Sequence, residues 1–202
     1  MPTARWAVLI VMLCLAACQR PHPAPPTAQD MAMGSPTARV TVIEYASVAC
    51  PHCASFNNEV LPAFKARYID TGKVRWILRE ALTGDTALAA AGFLTAHCAG
   101  KANYFQVVDD IFRNQSRMYA SGEPEPVLLG IAEKAGLTPA QFEACIGDQA
   151  ALAAINARWR VAMRQEGIRQ TPTFVINGRV YQGALTAPQL ESAVAQAQGG
   201  TL

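Results

Sequence analysis

The chain has 202 residues, a length that fits one domain of ordinary size or a small domain carrying an insertion. Hydrophobic residues make up 51% of it, enough to bury a full core, and the formal net charge is only +2. The sequence contains no run or stripe of lysine and arginine, which argues against a nucleic-acid partner.

Residues 1–17 have the pattern of an export signal. A single basic residue, Arg5, precedes an unbroken apolar run from Trp6 to Ala17. This run is too short to cross a bilayer as a helix, which takes about 20 residues, but it fits the core of a signal peptide. Its end, Leu15-Ala-Ala-Cys18, resembles a bacterial lipobox and implies cleavage before Cys18 and acylation of that cysteine. The alternative is an ordinary secretory signal whose cleavage site happens to precede a cysteine.

Residues 18–36 are proline-rich, largely polar and without apolar periodicity. A segment of this composition cannot bury a core, so we predict an extended linker between the acylated cysteine and the folded domain. The folded part is expected to begin near residue 37.

The first half of the folded part predicts a strand, a helix and a second strand. The β-branched run Arg39–Ala46 carries apolar residues on both faces, which is typical of an interior strand. A helix should open at Cys50-Pro51-His52-Cys53 and continue to about Tyr68, with a kink at Pro62. Lys73–Arg79 predicts the second strand.

From residue 85 to residue 167 the apolar residues recur at helical spacing and strand signals vanish. Glycine- and proline-containing breaks divide this block into four or five predicted helices; they fall at Gly100, Gly122-Glu-Pro124, Gly136-Leu-Thr-Pro139 and Gly147. Strands return at Thr173–Ile176 and Val180–Gln182, joined by the hairpin signal Asn177-Gly178. A closing helix is expected over Pro188–Gln198.

This order predicts an α/β fold with a mixed sheet flanked by helices. Residues 37–84 form a βαβ half and residues 168–202 a ββα half of one domain. Residues 85–167 form an all-helical insertion between the two halves.

Cys50 and Cys53 are spaced so that they can form a disulfide with each other at the start of the predicted helix. The positive end of the helix dipole and the unpaired N–H groups there favour a thiolate at Cys50. Pro51 stiffens the turn, and His52, when protonated, places a positive charge near the same sulfur. A stabilised thiolate stabilises the reduced form, so the disulfide becomes an oxidant of other thiols.

Three other interpretations of this cysteine pair stay open. A zinc site would need further ligands, and the sequence has neither a second Cys-x-x-Cys nor a His-x-x-x-His. A purely structural disulfide would close too small a loop to add much stability. A Cu(I) site of an exported metallochaperone is the more serious alternative, although Met31 and Met33 are few methionines to support it.

The chain has six cysteines. Cys14 would leave with the signal peptide and Cys18 would be acylated, so that four would remain, an even number that is consistent with two disulfides in an exported protein. Four cysteines allow three pairings, and the sequence does not prove one of them.

Several of these motifs together resemble the DsbA family: Val42-Ile-Glu-Tyr45, Cys50-Pro-His-Cys53, the helical insertion, Thr171-Pro-Thr-Phe-Val175 and Asn177-Gly178. The likeness covers about residue 34 to the C-terminus. It implies a thioredoxin-like fold and an exported thiol–disulfide oxidoreductase that uses neither a cofactor nor a metal. By the same resemblance, Cys50 is the nucleophile, Cys53 its buried partner, and Pro172 the cis-proline of the substrate groove.

The resemblance implies further roles. Glu44 matches a buried acid that exchanges protons with Cys53, the alternative being a strand residue that faces solvent. Cys98 and Cys145 should form a structural disulfide, as in some members, the alternative being a second redox centre. We expect an oxidase, which donates the Cys50–Cys53 disulfide to cysteines of exported proteins. Thr171 stands where the best-known oxidases carry valine, so an isomerase or reductase of the same fold is the alternative.

The partners that the resemblance implies are unfolded exported proteins with free cysteines and a membrane protein that restores the disulfide. We expect a periplasmic monomer that Cys18 anchors to a membrane; the sequence does not decide between the inner and the outer one.

Overall fold

The structure is a computed structural model, and it describes residues 23–199. In that range the strands are Met31–Met33 (β1), Val40–Ala46 (β2), Val74–Glu80 (β3), Thr173–Ile176 (β4) and Arg179–Gln182 (β5). They form one sheet of order β1-β3-β2-β4-β5, in which β2 and β3 are parallel and the other neighbours antiparallel. The predicted mixed sheet is confirmed.

The helices of the described range are Pro51–Ser55 (α1), Leu61–Phe64 (α2), Thr86–Cys98 (α3), Tyr104–Ser121 (α4), Pro124–Lys134 (α5), Pro139–Ile146 (α6), Gln149–Gln165 (α7) and Ala187–Ala197 (α8). Two π-helical turns, Phe56–Val60 and Lys65–Ile69, follow α1 and α2, so that the chain is helical from 51 to 69. Pro62 lies in the first turn of α2, where its missing N–H is tolerated. None of the helices between residues 23 and 199 combines the length and the apolar composition that a bilayer crossing requires.

The predicted insertion is a block of five helices, α3 to α7, between residues 85 and 167, all of which the structure describes. The glycine- and proline-containing breaks fall between these helices, as expected. Asn177 and Gly178 both have positive φ, 45° and 88°, which is the backbone that a two-residue hairpin between β4 and β5 requires.

The sheet separates two apolar clusters. On one face, Phe56, Phe64, Trp76 and Phe174 pack together with α8. The cluster on the other face is formed with the helical insertion. Because β2 is covered on both faces, the residues at its end are buried, and this end leads directly to Cys50.

The structure differs from the prediction at the end of the expected linker. Met31–Met33 is not linker but an edge strand, since it pairs antiparallel with β3. Arg79 holds the residues before it: its guanidinium donates to the carbonyls of Ala24 at 2.8 Å and Pro25 at 2.9 Å and pairs with Asp30 at 3.0 Å. Composition did not reveal this strand because main-chain pairing requires no particular side chain.

Candidate active site

Cys50 lies in the loop between β2 and α1 and occupies the N-cap position of the helix, with φ −92° and ψ 120°. Ser47 shapes this loop: its carbonyl accepts from the N–H of Cys50 at 3.0 Å, and its hydroxyl accepts from the N–H of Ala49 at 3.2 Å. Cys53 follows one helical turn later. Both thiols are free in this structure and both are buried, Cys53 completely and Cys50 with 8% of its surface exposed.

The pairing of β2 with β4 brings the Thr171-Pro172 segment close to the cysteines. β2 and β4 are antiparallel with Tyr45 opposite Thr173, so that the residues before β4 lie beside the loop that follows β2. The Thr171–Pro172 peptide bond is cis, as expected, and the Cys50 thiol lies 3.4 Å from the carbonyl oxygen of Thr171. Two motifs that are far apart in the chain therefore form one site.

The loop between β3 and α3 joins both parts of the site. The Ser47 hydroxyl donates to the carbonyl of Thr83 at 2.8 Å. The hydroxyl of Thr83 in turn lies 2.8 Å from that of Thr171. These contacts tie the residue before the cis-proline to the loop that carries Cys50.

The two cysteines differ strongly in acidity. The pKa of Cys50 is lowered to about 5, chiefly by a hydrogen bond from the Cys53 thiol; burial opposes this, while Thr171 and the backbone N–H groups of Cys53 and His52 add to it. Burial is the main cause that raises the pKa of Cys53 far above its ordinary value. These shifts favour a thiolate at Cys50 and a protonated thiol at Cys53 near neutral pH.

Glu44 lies on β2 with 2% of its surface exposed. Burial raises its pKa to about 8, and the negative charge of Cys50 adds to the rise. The indole N–H of Trp76 lies beside the carboxyl and offsets part of this effect, although it makes no hydrogen bond of regular geometry. A cavity of about 210 Å³, lined also by Asn57 and Asp109, extends from Glu44 and Trp76. The expected buried acid is thus present, and the solvent-facing alternative is wrong.

Comparison with known proteins gives a consistent result. A sequence model of the thioredoxin family matches residues 26–196. The chain belongs to the thioredoxin family and, within it, to the DsbA-like proteins. Its fold is similar to that of α-DsbA1 from Wolbachia pipientis, with a TM-score of 0.79 and 27% identity over 86% of this chain and 93% of that one. BdbD from Bacillus subtilis has the same fold, with a TM-score of 0.78 at 16% identity over 89% of this chain and 98% of that one.

Among curated relatives, a Rickettsia bellii protein provisionally named a protein-disulfide oxidoreductase is 30% identical over 150 residues, which is 74% of this chain. The match covers only 57% of that relative's length. A second such relative, from Rickettsia typhi, is 31% identical over 74% of this chain and 55% of its own length.

The remaining expected site residues of this DsbA-like chain lie as follows. Pro51 and His52 are exposed on the first turn of α1. Cys98 and Cys145 form the expected disulfide, which joins α3 to α6. Cys18 and the predicted signal peptide lie outside the described residues. Within residues 23–199, no cluster of three or more histidine, cysteine or acidic side chains is arranged to hold a metal ion.

Two side chains of the insertion that sequence reasoning missed also reach the site. Gln115 and Tyr119 on α4 donate hydrogen bonds to backbone carbonyls of the loop that carries Cys50. Helical periodicity places both residues in a helix, but it does not reveal which loop they contact. What the sequence does offer is Gln115, an amide residue at a helical position that faces the core.

Proposed function

We propose that this protein is an exported thiol–disulfide oxidase, which donates the Cys50–Cys53 disulfide to cysteines of other exported proteins. The observation that carries the proposal is the placement of Cys50, which lies at the N-cap of α1 with its sulfur 3.4 Å from the carbonyl of Thr171, next to the cis-proline. This environment lowers the pKa of Cys50 to about 5. At pH 7 a thiol of that pKa is about 99% thiolate, so the reduced pair is strongly stabilised and its disulfide is correspondingly oxidising. The relatives named as disulfide oxidoreductases support the same class of activity.

In the proposed reaction, a thiolate of the client attacks Cys50 Sγ and the Cys50–Cys53 bond breaks. Cys53 leaves as a thiolate, and its high pKa means that it takes up a proton at once; Glu44 is the proposed proton donor. A second client thiolate then attacks the client sulfur of the mixed disulfide, and Cys50 leaves as a stable thiolate. The client loses two electrons to form its disulfide, and the cysteine pair gains them.

The proposed groove for the client runs past Thr171 and Pro172. The carbonyl of Thr171 lies 3.4 Å from Cys50 Sγ, near enough that an extended client segment can align its backbone beside the reacting sulfur. His52 and Pro51 are exposed beside it and form the proposed opposite rim.

We further propose that the mature protein acts in the periplasm as a monomer, anchored to a membrane through acylated Cys18. The apolar run before Cys18 supports export. The Cys98–Cys145 disulfide fits an oxidising compartment. Mass spectrometry of the N-terminal peptide tests acylation, and Cys18→Ser should move the protein from the membrane fraction to the soluble fraction; unchanged fractionation would contradict the anchor.

An isomerase or reductase is the second candidate function, and Thr171 is the residue that favours it. The Thr171 hydroxyl is bonded to Thr83 close to Cys50, so it influences the stability of the thiolate from which the redox potential follows. A Cu(I)-binding metallochaperone remains a third candidate, supported only by the thiol pair itself.

The redox equilibrium of the pair tests the proposal. The purified full chain is equilibrated with glutathione buffers, and alkylation with mass spectrometry of the Cys50–Cys53 peptide gives the oxidised fraction without interference from other cysteines. We expect a potential well above about −180 mV; a value near about −270 mV would mean a reductase. A client assay separates the remaining candidates: an oxidase forms disulfides in a reduced client, whereas an isomerase mainly rearranges a scrambled one.

A further inference from the structure

Helix α4 of the insertion reaches the loop of the active site with two polar side chains. The Gln115 side-chain amide donates to the carbonyl of Val48 at 2.7 Å and to that of Cys50 at 3.2 Å. The Tyr119 hydroxyl donates to the carbonyl of Ala49 at 2.5 Å. Gln115 and Tyr119 are four residues apart and so lie on one face of the helix. Together they bind three successive carbonyls of the loop.

These bonds restrict the directions of the two peptide units that lead from Val48 to Cys50. In a trans peptide the carbonyl and the following N–H point in opposite directions, so a bound carbonyl also fixes that N–H. The N–H groups of Ala49 and Cys50 are accordingly turned toward Ser47, which accepts both. The Val48–Ala49 and Ala49–Cys50 peptide units are therefore each held at both the carbonyl and the N–H.

The orientation of this loop matters for the sulfur of Cys50. Cys50 has extended backbone angles at the N-cap, and the N–H groups of the first helical turn face its sulfur and lower its pKa. A small rotation of the residue would move the sulfur away from them. We propose that Gln115 and Tyr119 are positioning residues, which hold Cys50 in the conformation in which the helix start stabilises its thiolate.

The burial of Gln115 supports this role. Only 3% of its surface is exposed, and it lies among apolar side chains such as Ile111, Phe112 and Met118 on the same face of α4. An amide in such surroundings is unfavourable unless it is hydrogen-bonded, and leucine or methionine would fill a similar volume without that penalty. The amide's described partners all belong to the active-site loop.

Tyr119 donates its hydrogen bond to the same loop but is more exposed, with 45% of its surface accessible. Partial burial, with the nearby negative charges of Asp85 and Cys50, raises the pKa of its phenol. The hydroxyl therefore keeps its proton and stays a donor at neutral pH, where Cys50 is a thiolate.

The inference rests on the proposed role of Cys50 as the reactive thiolate, and it is tested by titration of that thiolate. Absorbance at 240 nm of the reduced full chain gives the pKa of Cys50 in wild type and variants, and the glutathione equilibrium gives the redox constant. We expect Gln115→Leu to raise the pKa by about one unit and to make the disulfide roughly tenfold less oxidising. Tyr119→Phe, which loses one bond and disturbs little packing, should give about a threefold change in the same direction.

Asn114→Ala is the matched control, because the one hydrogen bond of the Asn114 amide within residues 23–199 goes to the carbonyl of Asp110 in α4 itself. It should leave the pKa of Cys50 unchanged. If Gln115→Leu and Tyr119→Phe lower thermal stability but leave the pKa at the wild-type value, the residues are merely structural and the inference is wrong. Should Gln115→Leu not fold, the Tyr119→Phe result alone decides. A wild-type pKa near 8.5 would instead contradict the proposed function, independently of any difference between variants.

Discussion

Replacing Glu44 by glutamine should stabilise the protein at neutral pH. In the unfolded chain this carboxyl has its ordinary pKa of 4.5, whereas burial raises the pKa to about 8 in the folded protein. Folding at pH 7 must therefore protonate a group that is ionised in the unfolded state, at a cost of about 3 kcal/mol. Glutamine has nearly the same shape and no charge, so Glu44→Gln removes this cost.

The gain has a defined pH dependence. In the wild type, the pKa of Glu44 is raised on folding, so its contribution to stability is fully present below the unfolded pKa of 4.5 and is lost as the pH rises toward the folded value of about 8. The advantage of glutamine grows over the same pH range. The free energies of unfolding of wild type and Glu44→Gln should thus coincide near pH 4 and diverge by about 3 kcal/mol at pH 7. Urea denaturation of the oxidised forms is the assay, because the disulfide keeps Cys50 and Cys53 from titrating. The Cys50 charge is then absent, which makes the difference slightly smaller.

Glu80 provides the matched control, since it is also buried but has charged and polar partners. Burial works against its ionisation, yet a 2.7 Å bond from His97 and the nearby Arg158 lower the pKa of this carboxyl. Glu80→Gln should therefore destabilise the protein at pH 7, the opposite sign. The reasoning fails if Glu44→Gln is less stable than wild type at pH 7, or if its advantage is the same at pH 4 and pH 7.

We also expect Glu44→Gln to slow turnover at least about tenfold, because Cys53 loses its proton donor.

Three further predictions concern the thiolate, the second disulfide and the N-terminal segment. Titration of the reduced protein at 240 nm should give a pKa of about 5 that is absent in Cys50→Ser; a transition above pH 8 would contradict it. Joint replacement of Cys98 and Cys145 by serine should lower the free energy of unfolding in urea by about 4 kcal/mol, since the disulfide joins residues 47 apart in the chain. Arg79→Met should cost roughly 2–3 kcal/mol and expose residues 23–33 to limited proteolysis, and an unchanged cleavage pattern would show that this arginine does not hold the segment.

The elements of the fold that local chemistry determines could be predicted from the sequence. The β-branched run that became β2 and the Asn177-Gly178 turn are such cases, because side-chain branching and positive φ act within a few residues. The glycine-containing breaks of the insertion are another. By contrast, β1 was missed, because an edge strand of three residues is formed by its neighbour β3 and by Arg79 rather than by its own composition.

For the site, the sequence predicts only the residues that belong to recognisable motifs. Cys50 and Cys53 are readable from their spacing at a helix start, but the approach of Thr171 to Cys50 depends on the antiparallel pairing of β2 with β4, which no local pattern encodes. It was expected because the motif combination resembles a known family. Gln115 and Tyr119 belong to no motif, and their contacts arise from how α4 packs against the loop.

Glu44 and Glu80 show why burial of an acid does not by itself indicate function. Both lie on neighbouring central strands, and both are almost fully buried. Glu80 is surrounded by His97, Tyr104 and Arg158, so it is held as a carboxylate and acts as a structural anchor between the sheet and the insertion. Glu44 has only the poorly aligned indole of Trp76, so it remains able to gain and lose a proton near neutral pH. The lack of partners, which only the folded structure reveals, is what makes Glu44 rather than Glu80 the candidate for proton exchange with Cys53.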